Sequence, residues 1–233
     1  MYKRIVFTLL SLFVATPTWA ATYNAYGDFG ATNPSGVWTY GYAAPGDIIE
    51  LDTLLSQMSV YTPNCVVAAG GTADCWSQAE GSVSKPSTTF DINTVNYVSG
   101  YLNMHPSAAL NLSVVAFAAP VAANYTFKGE FADHDVVGGN GTDVAVVLGD
   151  GTFGVAFSTM SAVSNAVEID FTRALSAGQR VYFVVGANGD YTYDSIGLNL
   201  TVNDNLINAG VPEPSSMILM GLGTGALALL RRR

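Results

Sequence analysis

The densest set of residues able to do chemistry is Asp133-His134-Asp135, followed by Asn140 and Asp143 around the run Gly138-Gly139-Asn140-Gly141. Hard oxygen donors in a glycine-rich loop suit calcium, which takes about 6–8 oxygen ligands and accepts backbone carbonyls among them. The expected donors are Asp133, Asp135, Asn140 and Asp143. The competing reading is a solvated hairpin whose Asp, Asn and Gly simply make the turn. The EF-hand pattern is not met, since no glutamate stands where the bidentate ligand belongs. Zinc fits less well, because His105 and His134 are the only histidines and lie far apart in sequence. Glu130 paired with Asp133 or Asp135 has the residue types for glycoside hydrolysis, but that chemistry needs a defined carboxylate separation that sequence does not set. Asp194-Ser195 lacks a nucleophile elbow, and no phosphate loop, dinucleotide fingerprint or zincin helix occurs. The expectation is a non-catalytic chain with no cofactor other than calcium; the alternative is a secreted polysaccharide-active enzyme.

Aromatic residues are the second candidate chemistry. Trp38, Tyr40, Trp76 and Tyr191, with Tyr42 and Tyr193 beside them, could offer a sugar flat apolar faces with polar handles. Trp38, Tyr40 and Tyr42 also alternate, so the other reading puts them on one strand face packed in a core. Cys65 and Cys75 are ten positions apart and are the only cysteines. In an exported chain such a pair is expected to close a small disulfide loop.

Strands must position these residues. Tyr125, Phe127, Gly129 and Phe131 alternate with Thr126, Lys128 and Glu130, and Ile196, Leu198, Leu200 and Val202 with Gly197, Asn199 and Thr201. Val144–Leu148 and Val181–Val185 are apolar on both faces and suit central strands. Turn chemistry at Gly149-Asp150-Gly151 and Asn188-Gly189-Asp190 separates the runs. The pattern predicts an all-β antiparallel sandwich, jelly-roll or immunoglobulin-like. A helix is expected within Asp47–Met58, where Ile48, Leu51, Leu54 and Leu55 fall at helical spacing, and a long loop carrying the disulfide over Pro63–Pro86.

The ends differ from this body. Lys3 and Arg4, an apolar run from Ile5 to Ala15, Pro17 and Thr18-Trp19-Ala20-Ala21 have the layout of a secretory signal over residues 1–20, cleaved after Ala20. Residues 21–210 form the expected single domain. Its basic residues are Lys85, Lys128, Arg173 and Arg180; seventeen of the eighteen acids lie there, so four minus seventeen leaves −13 against −9 for the whole chain. Nucleic acid is excluded as a partner, since phosphate neutralisation needs clustered Lys and Arg. In residues 211–233, Val211-Pro212-Glu213-Pro214 precedes an apolar run and ends in Arg231-Arg232-Arg233. A helix from Ser215 to Leu230 would be roughly 24 Å long against a ~30 Å hydrocarbon core, enough for a transient span. The arginines place its end in the cytoplasm.

This tripartite end resembles the PEP-CTERM sorting signal of Gram-negative bacteria. The resemblance implies export across the inner membrane, transient membrane association, an exosortase-type membrane protease as partner, and release to the cell surface or extracellular matrix alongside exopolysaccharide or biofilm. A permanently anchored envelope structural protein is the alternative. The body resembles β-sandwich modules found above such signals, through Asn33-Pro34-Ser35-Gly36-Val37-Trp38, His105-Pro106, Ala119-Pro120, Thr142-Asp143-Val144 and Asn188-Gly189-Asp190-Tyr191. It departs from them at Ser107, where a glycine usually follows His-Pro, and in the apolar residues before Ala119. That likeness implies a sandwich and no activity; the export route is what makes a polysaccharide the expected partner.

Overall fold

A computed structural model describes residues 20–78, 81–137, 139–160 and 166–205, without the side chains of 153–160. The expected sorting segment and all of the expected signal segment except Ala20 lie outside the described residues.

Among the described residues the alternating runs become strands β1 (Thr22–Asn24), β2 (Trp38–Ala43), β3 (Ser56–Gln57), β4 (Val60–Ala68) and β5 (Gly71–Gln78). The middle of the chain adds β6 (Gly81–Pro86), β7 (Phe90–Ile92), β8 (Val95–Tyr97), β9 (Leu102–Pro106), β10 (Leu112–Ala118) and β11 (Ala123–Asp133). The last are β12 (Thr142–Leu148), β13 (Phe153–Met160), β14 (Ala166–Leu175), β15 (Arg180–Gly186) and β16 (Ile196–Asn205). One sheet runs β14-β11-β16-β9-β6-β5-β4, with β1 also paired to β16. A second runs β13-β12-β15-β10-β2-β3, and β7-β8 is a separate hairpin. All these pairings are antiparallel, as the sandwich expectation requires.

The main core lies between the sheets. β11 contributes Tyr125, Phe127 and Phe131, and β16 contributes Ile196, Leu198, Leu200 and Val202, the side of each strand that alternation marks as apolar. Trp38, Tyr40, Val115, Phe117, Val146 and Phe183 face them from the second sheet. Strands β10, β12 and β15 are apolar on their other side too, where Val114, Ala116, Ala145, Val147, Tyr182 and Val184 form a second cluster with Leu51.

Two expectations change. The helix within Asp47–Met58 shrinks to a 3-10 turn, Pro45–Asp47, and one turn of α-helix, α1 (Leu51–Leu54). Leu51, with Ile48 and Leu55, caps the second cluster. Ser56 and Gln57 then leave helical geometry to pair with Tyr42 and Gly41 of β2, so sheet pairing ends the helix early. The predicted loop over Pro63–Pro86 is mostly β4, β5 and β6. Its Gly, Ala and Ser residues carry little apolar alternation, yet ladder hydrogen bonds to β9 through β6 order it without a full hydrophobic face. The expected disulfide is present: Cys65 lies where the β4–β5 register shifts, and its Cα is 5.8 Å from that of Cys75 on β5.

Candidate functional site

Period-two alternation in β9 sends Leu102 and Met104 into the core and leaves Asn103 and His105 on the opposite side of the sheet. In β6, Val83 points inward and Ser82 takes the outer side in the same way. Over this outer face a groove of about 390 Å³ opens. Its floor is Ser82, Asn103 and His105. Thr94, Val95 and Tyr97 of the β7–β8 hairpin form one wall, and Tyr191, Thr192, Tyr193 and Ser195 of the loop before β16 form the other, with Asp135 between them.

Both walls are braced from behind. Tyr97 stacks on Phe90 with centroids 5.0 Å apart and planes 3° from parallel. Burial and then the negative charge of Asp135 raise the Tyr97 phenol above its ordinary range. Tyr191 meets His105 edge-on at 6.3 Å. Asp190 accepts from the Thr192 amide at 3.1 Å and its hydroxyl at 2.8 Å, closing an Asx turn between the two loop tyrosines. Asn140 Nδ2 donates to the Asn188 carbonyl at 2.6 Å, and Asn188 Nδ2 donates to the Asn140 carbonyl at 3.1 Å. Gly139 is required beside this pair, because a Cβ there would stand 2.7 Å from the Thr192 carbonyl oxygen.

Beneath the loop, Asp135 accepts from the Ser195 amide at 2.7 Å and the Thr94 hydroxyl at 2.9 Å, tying both walls together. Asp194 is fully buried; its Oδ1 accepts from the Thr142 hydroxyl at 2.8 Å and its Oδ2 has no partner. Burial, reinforced by Asp190, Asp135 and Asp143 against the Thr142 hydrogen bond, pushes its carboxyl up to about 7. The His134 ring lies flat over Gly197, where any side chain would collide with it. Burial pushes this imidazole down to about 4, against the pull of Asp135 and Glu130. On the groove floor Asn103 is buried, and its Nδ2 donor has no partner. Such a donor is costly to leave unpaired.

The expected calcium donors come from different elements. Asp133 ends β11 of the first sheet and Asp135 forms an isolated bridge to Val95 just beyond it, whereas Asp143 lies in β12 of the second sheet. There it lines a separate cavity of about 500 Å³ with Pro45, Ile48, Leu110 and Leu112. Asn140 is engaged with Asn188. Among the described residues no three His, Cys, Asp or Glu side chains are arranged to hold a metal.

The expected sugar platforms divide as well. Trp38 and Tyr40 are fully buried and Trp76 nearly so. The indole nitrogens are satisfied inside, Trp38 Nε1 by Asp28 at 3.1 Å and Trp76 Nε1 by the Gly30 carbonyl at 2.9 Å. These three are core residues, which corrects the expectation of an exposed platform. Tyr191 stays exposed in the groove, beside Tyr193. Tyr97 and Asn103 were not singled out from sequence. Alternation in β9 marks Asn103 as outward-facing, but nothing in the sequence brings the β7–β8 hairpin over it.

Residues 210–233 match the family model of the PEP-CTERM protein-sorting motif. The motif implies an exported protein, sorted by an exosortase-type system to the cell surface or extracellular space of a Gram-negative bacterium. No characterised protein matches the chain by sequence. Among solved structures it is similar to the GH26-CBM35 β-(1,4)-mannanase of Podospora anserina, at 14% identity and a TM-score of 0.29, over 61% of this chain and 27% of that one. The chain thus spans about a quarter of the mannanase's length. CBM35 from Cellvibrio japonicus Abf62 gives 15% identity and 0.30, over 57% of this chain and 92% of that one. The isomalto-dextranase of Arthrobacter globiformis T6 gives 12% and 0.30, over 81% and 33%. Overlaps this loose carry nothing about a ligand.

Proposed function

We propose that this exported protein is a non-catalytic component of the cell surface or exopolysaccharide matrix that holds a polysaccharide in the groove between Tyr97 and Tyr191-Thr192-Tyr193. The observation that carries this reading is a groove walled by Tyr97, Tyr191 and Tyr193 over a polar floor of Ser82, Asn103 and His105. Aromatic faces remove apolar sugar faces from water while floor donors and acceptors take hydroxyl groups, the usual division of labour in a small-molecule site. The ligand is a neutral glycan. None of the four basic residues of the body lines the groove: Lys128 pairs with Asp170, Arg173 with Asp150, Lys85 lies over the Tyr26 ring, and Arg180 sits beside Tyr182. A uronate would meet the Asp135 carboxylate without a compensating cation.

The groove binds rather than cleaves. Among the described residues Asp135 is its one lining carboxylate, and both of its oxygens already accept hydrogen bonds from the walls. Glycoside hydrolysis in its usual form needs two free carboxyl groups. This reading does not require calcium.

The test is a glycan array followed by calorimetry on the processed protein, with and without calcium. A neutral oligosaccharide should bind, and Tyr191→Ala should weaken it about tenfold, or ~1.4 kcal/mol. Binding that survives removal of Tyr191 and Tyr193 together would move the site elsewhere. Turnover of any oligosaccharide that is abolished by Asp135→Asn would replace the binding module with an enzyme.

A further inference from the structure

Asp204, near the end of β16, is buried to 3% exposure. Its surroundings come from three strands. On β16 itself, the Asp204 amide donates to the Ala21 carbonyl at 3.0 Å. On the neighbouring segment, the Ala21 backbone nitrogen donates to Asp204 Oδ1 at 2.5 Å, and the Tyr23 hydroxyl of β1 lies 3.5 Å from Oδ2. On β11, Tyr125 stands opposite Asp204 in register. Tyr23 and Tyr125 are therefore the titratable groups that face it. Among the described residues no cation pairs with it: the ion pairs there are Lys128–Asp170 and Arg173–Asp150. A buried carboxylate facing only phenols and an amide is costly, and an opposite charge at hydrogen-bonding distance would offset that cost.

Ala21 is the residue that becomes the N-terminus if the export segment is cut after Ala20. Ala20 itself is exposed, so the Ala20–Ala21 bond lies at the edge of the described fold. Hydrolysis there breaks the amide C–N bond. Water supplies the hydroxyl that leaves Ala20 with a carboxylate, and protons from water leave the Ala21 nitrogen as an ammonium.

We propose that Asp204 is a receptor for a free α-ammonium at Ala21, so that removal of the export segment installs a buried ion pair closing the seam between β1 and β16. The inference rests on cleavage after Ala20 and is independent of the groove. Before cleavage the Ala21 nitrogen is a neutral amide bonded to the same oxygen. Afterwards it keeps that bond and brings the missing charge. Maturation thereby locks the first strand onto the sheet, and chains with a different N-terminus have a looser seam.

The test compares the chain from Ala21 to Arg233 in mild detergent, released with a free Ala21 amine, with the same chain carrying Gly-Ser before Ala21. Each is made with Asp204 and with Asp204→Asn. The free-amine protein should melt about 4–8 °C above the extended one near pH 6.5. Asp204→Asn should shrink that gap to about 1 °C or less. The gap should also close as pH rises through the α-amine titration, ordinarily near ~7.7–8.0 and higher when paired. Equal melting of the two Asp204 forms, or a gap that survives Asp204→Asn, overturns the proposal. If Asp204→Asn does not fold, the pH dependence of Ala21 acylation in the unsubstituted chain decides. A midpoint above the ordinary α-amine range supports the ion pair, and a midpoint within or below it overturns it.

Discussion

Trp38 and Tyr40 are fully buried, whereas Tyr191 and Tyr193 keep 42% and 40% of their surface exposed. Both sets alternate with threonine or glycine, and both look equally suited to stacking on a sugar. They differ in what holds their backbone. Trp38 and Tyr40 lie in β2, an inner strand whose partner β10 fixes which face turns inward. Asn33 clamps the strand further, donating to the Tyr40 and Met58 carbonyls at 2.7 and 2.8 Å and accepting from the Tyr40 amide. Tyr191 and Tyr193 lie in a loop outside any ladder, held by Asp190, Asp135 and the Asn140–Asn188 pair. An aromatic side chain joins the core when a ladder aims it there and stays at the surface when side chains alone support its loop.

The largest effect expected to test this contrast is Trp38→Ala, which should cost about 3–5 kcal/mol in denaturant unfolding. Tyr191→Ala should stay within about 0.5 kcal/mol on the same scale; a comparable loss would break the comparison. Opening the Cys65–Cys75 loop with paired serines should cost about 2–3 kcal/mol, read as the difference between oxidised parent and variant. That loss should leave glycan affinity unchanged, since neither cysteine lines the groove.

Asp194 and His134 sharpen the contrast through pH. A carboxyl raised to about 7 keeps its proton longer in the fold than in the unfolded chain, so its contribution falls as pH rises from about 4 to 7. A histidine lowered to about 4 acts oppositely: its contribution is present above its unfolded value near 6.5 and is lost as pH falls towards 4. Calorimetric melting between pH 4 and 8 should therefore show Asp194→Asn gaining on the parent as pH rises, by about 1–3 kcal/mol. A constant offset across that range would remove the buried charge from the account. The smallest effect belongs to Lys128, whose pair with Asp170 is exposed at both ends. Lys128→Ala should change stability by less than about 0.5 kcal/mol and leave binding unaltered.

Much of this architecture was legible in particular residues. Ile196, Leu198, Leu200 and Val202 predicted the inward face of β16, and the doubly apolar Val181–Val185 predicted a strand with core on both sides. The strands β4 to β6 were not legible, because their order comes from hydrogen bonds to neighbours and the disulfide, neither of which leaves an apolar period. The site was half legible. Tyr191 was recognisable as an aromatic in a turn-rich loop. Tyr97, Asn103 and Asp135 meet only because β8, β9 and the end of β11 converge there.

The sequence by itself determined destination and class. The Pro212-Glu213-Pro214 motif and terminal arginines specify sorting, and period-two alternation specifies sheets, because each depends on residues near one another in the chain. Only the tertiary structure decided which aromatics are core and which are surface, that the acidic loop braces a groove wall, and that Asp204 meets Ala21 across 183 residues. Strand order and register set those meetings, and they are fixed by burial and pairing summed over the whole sandwich rather than by any local segment.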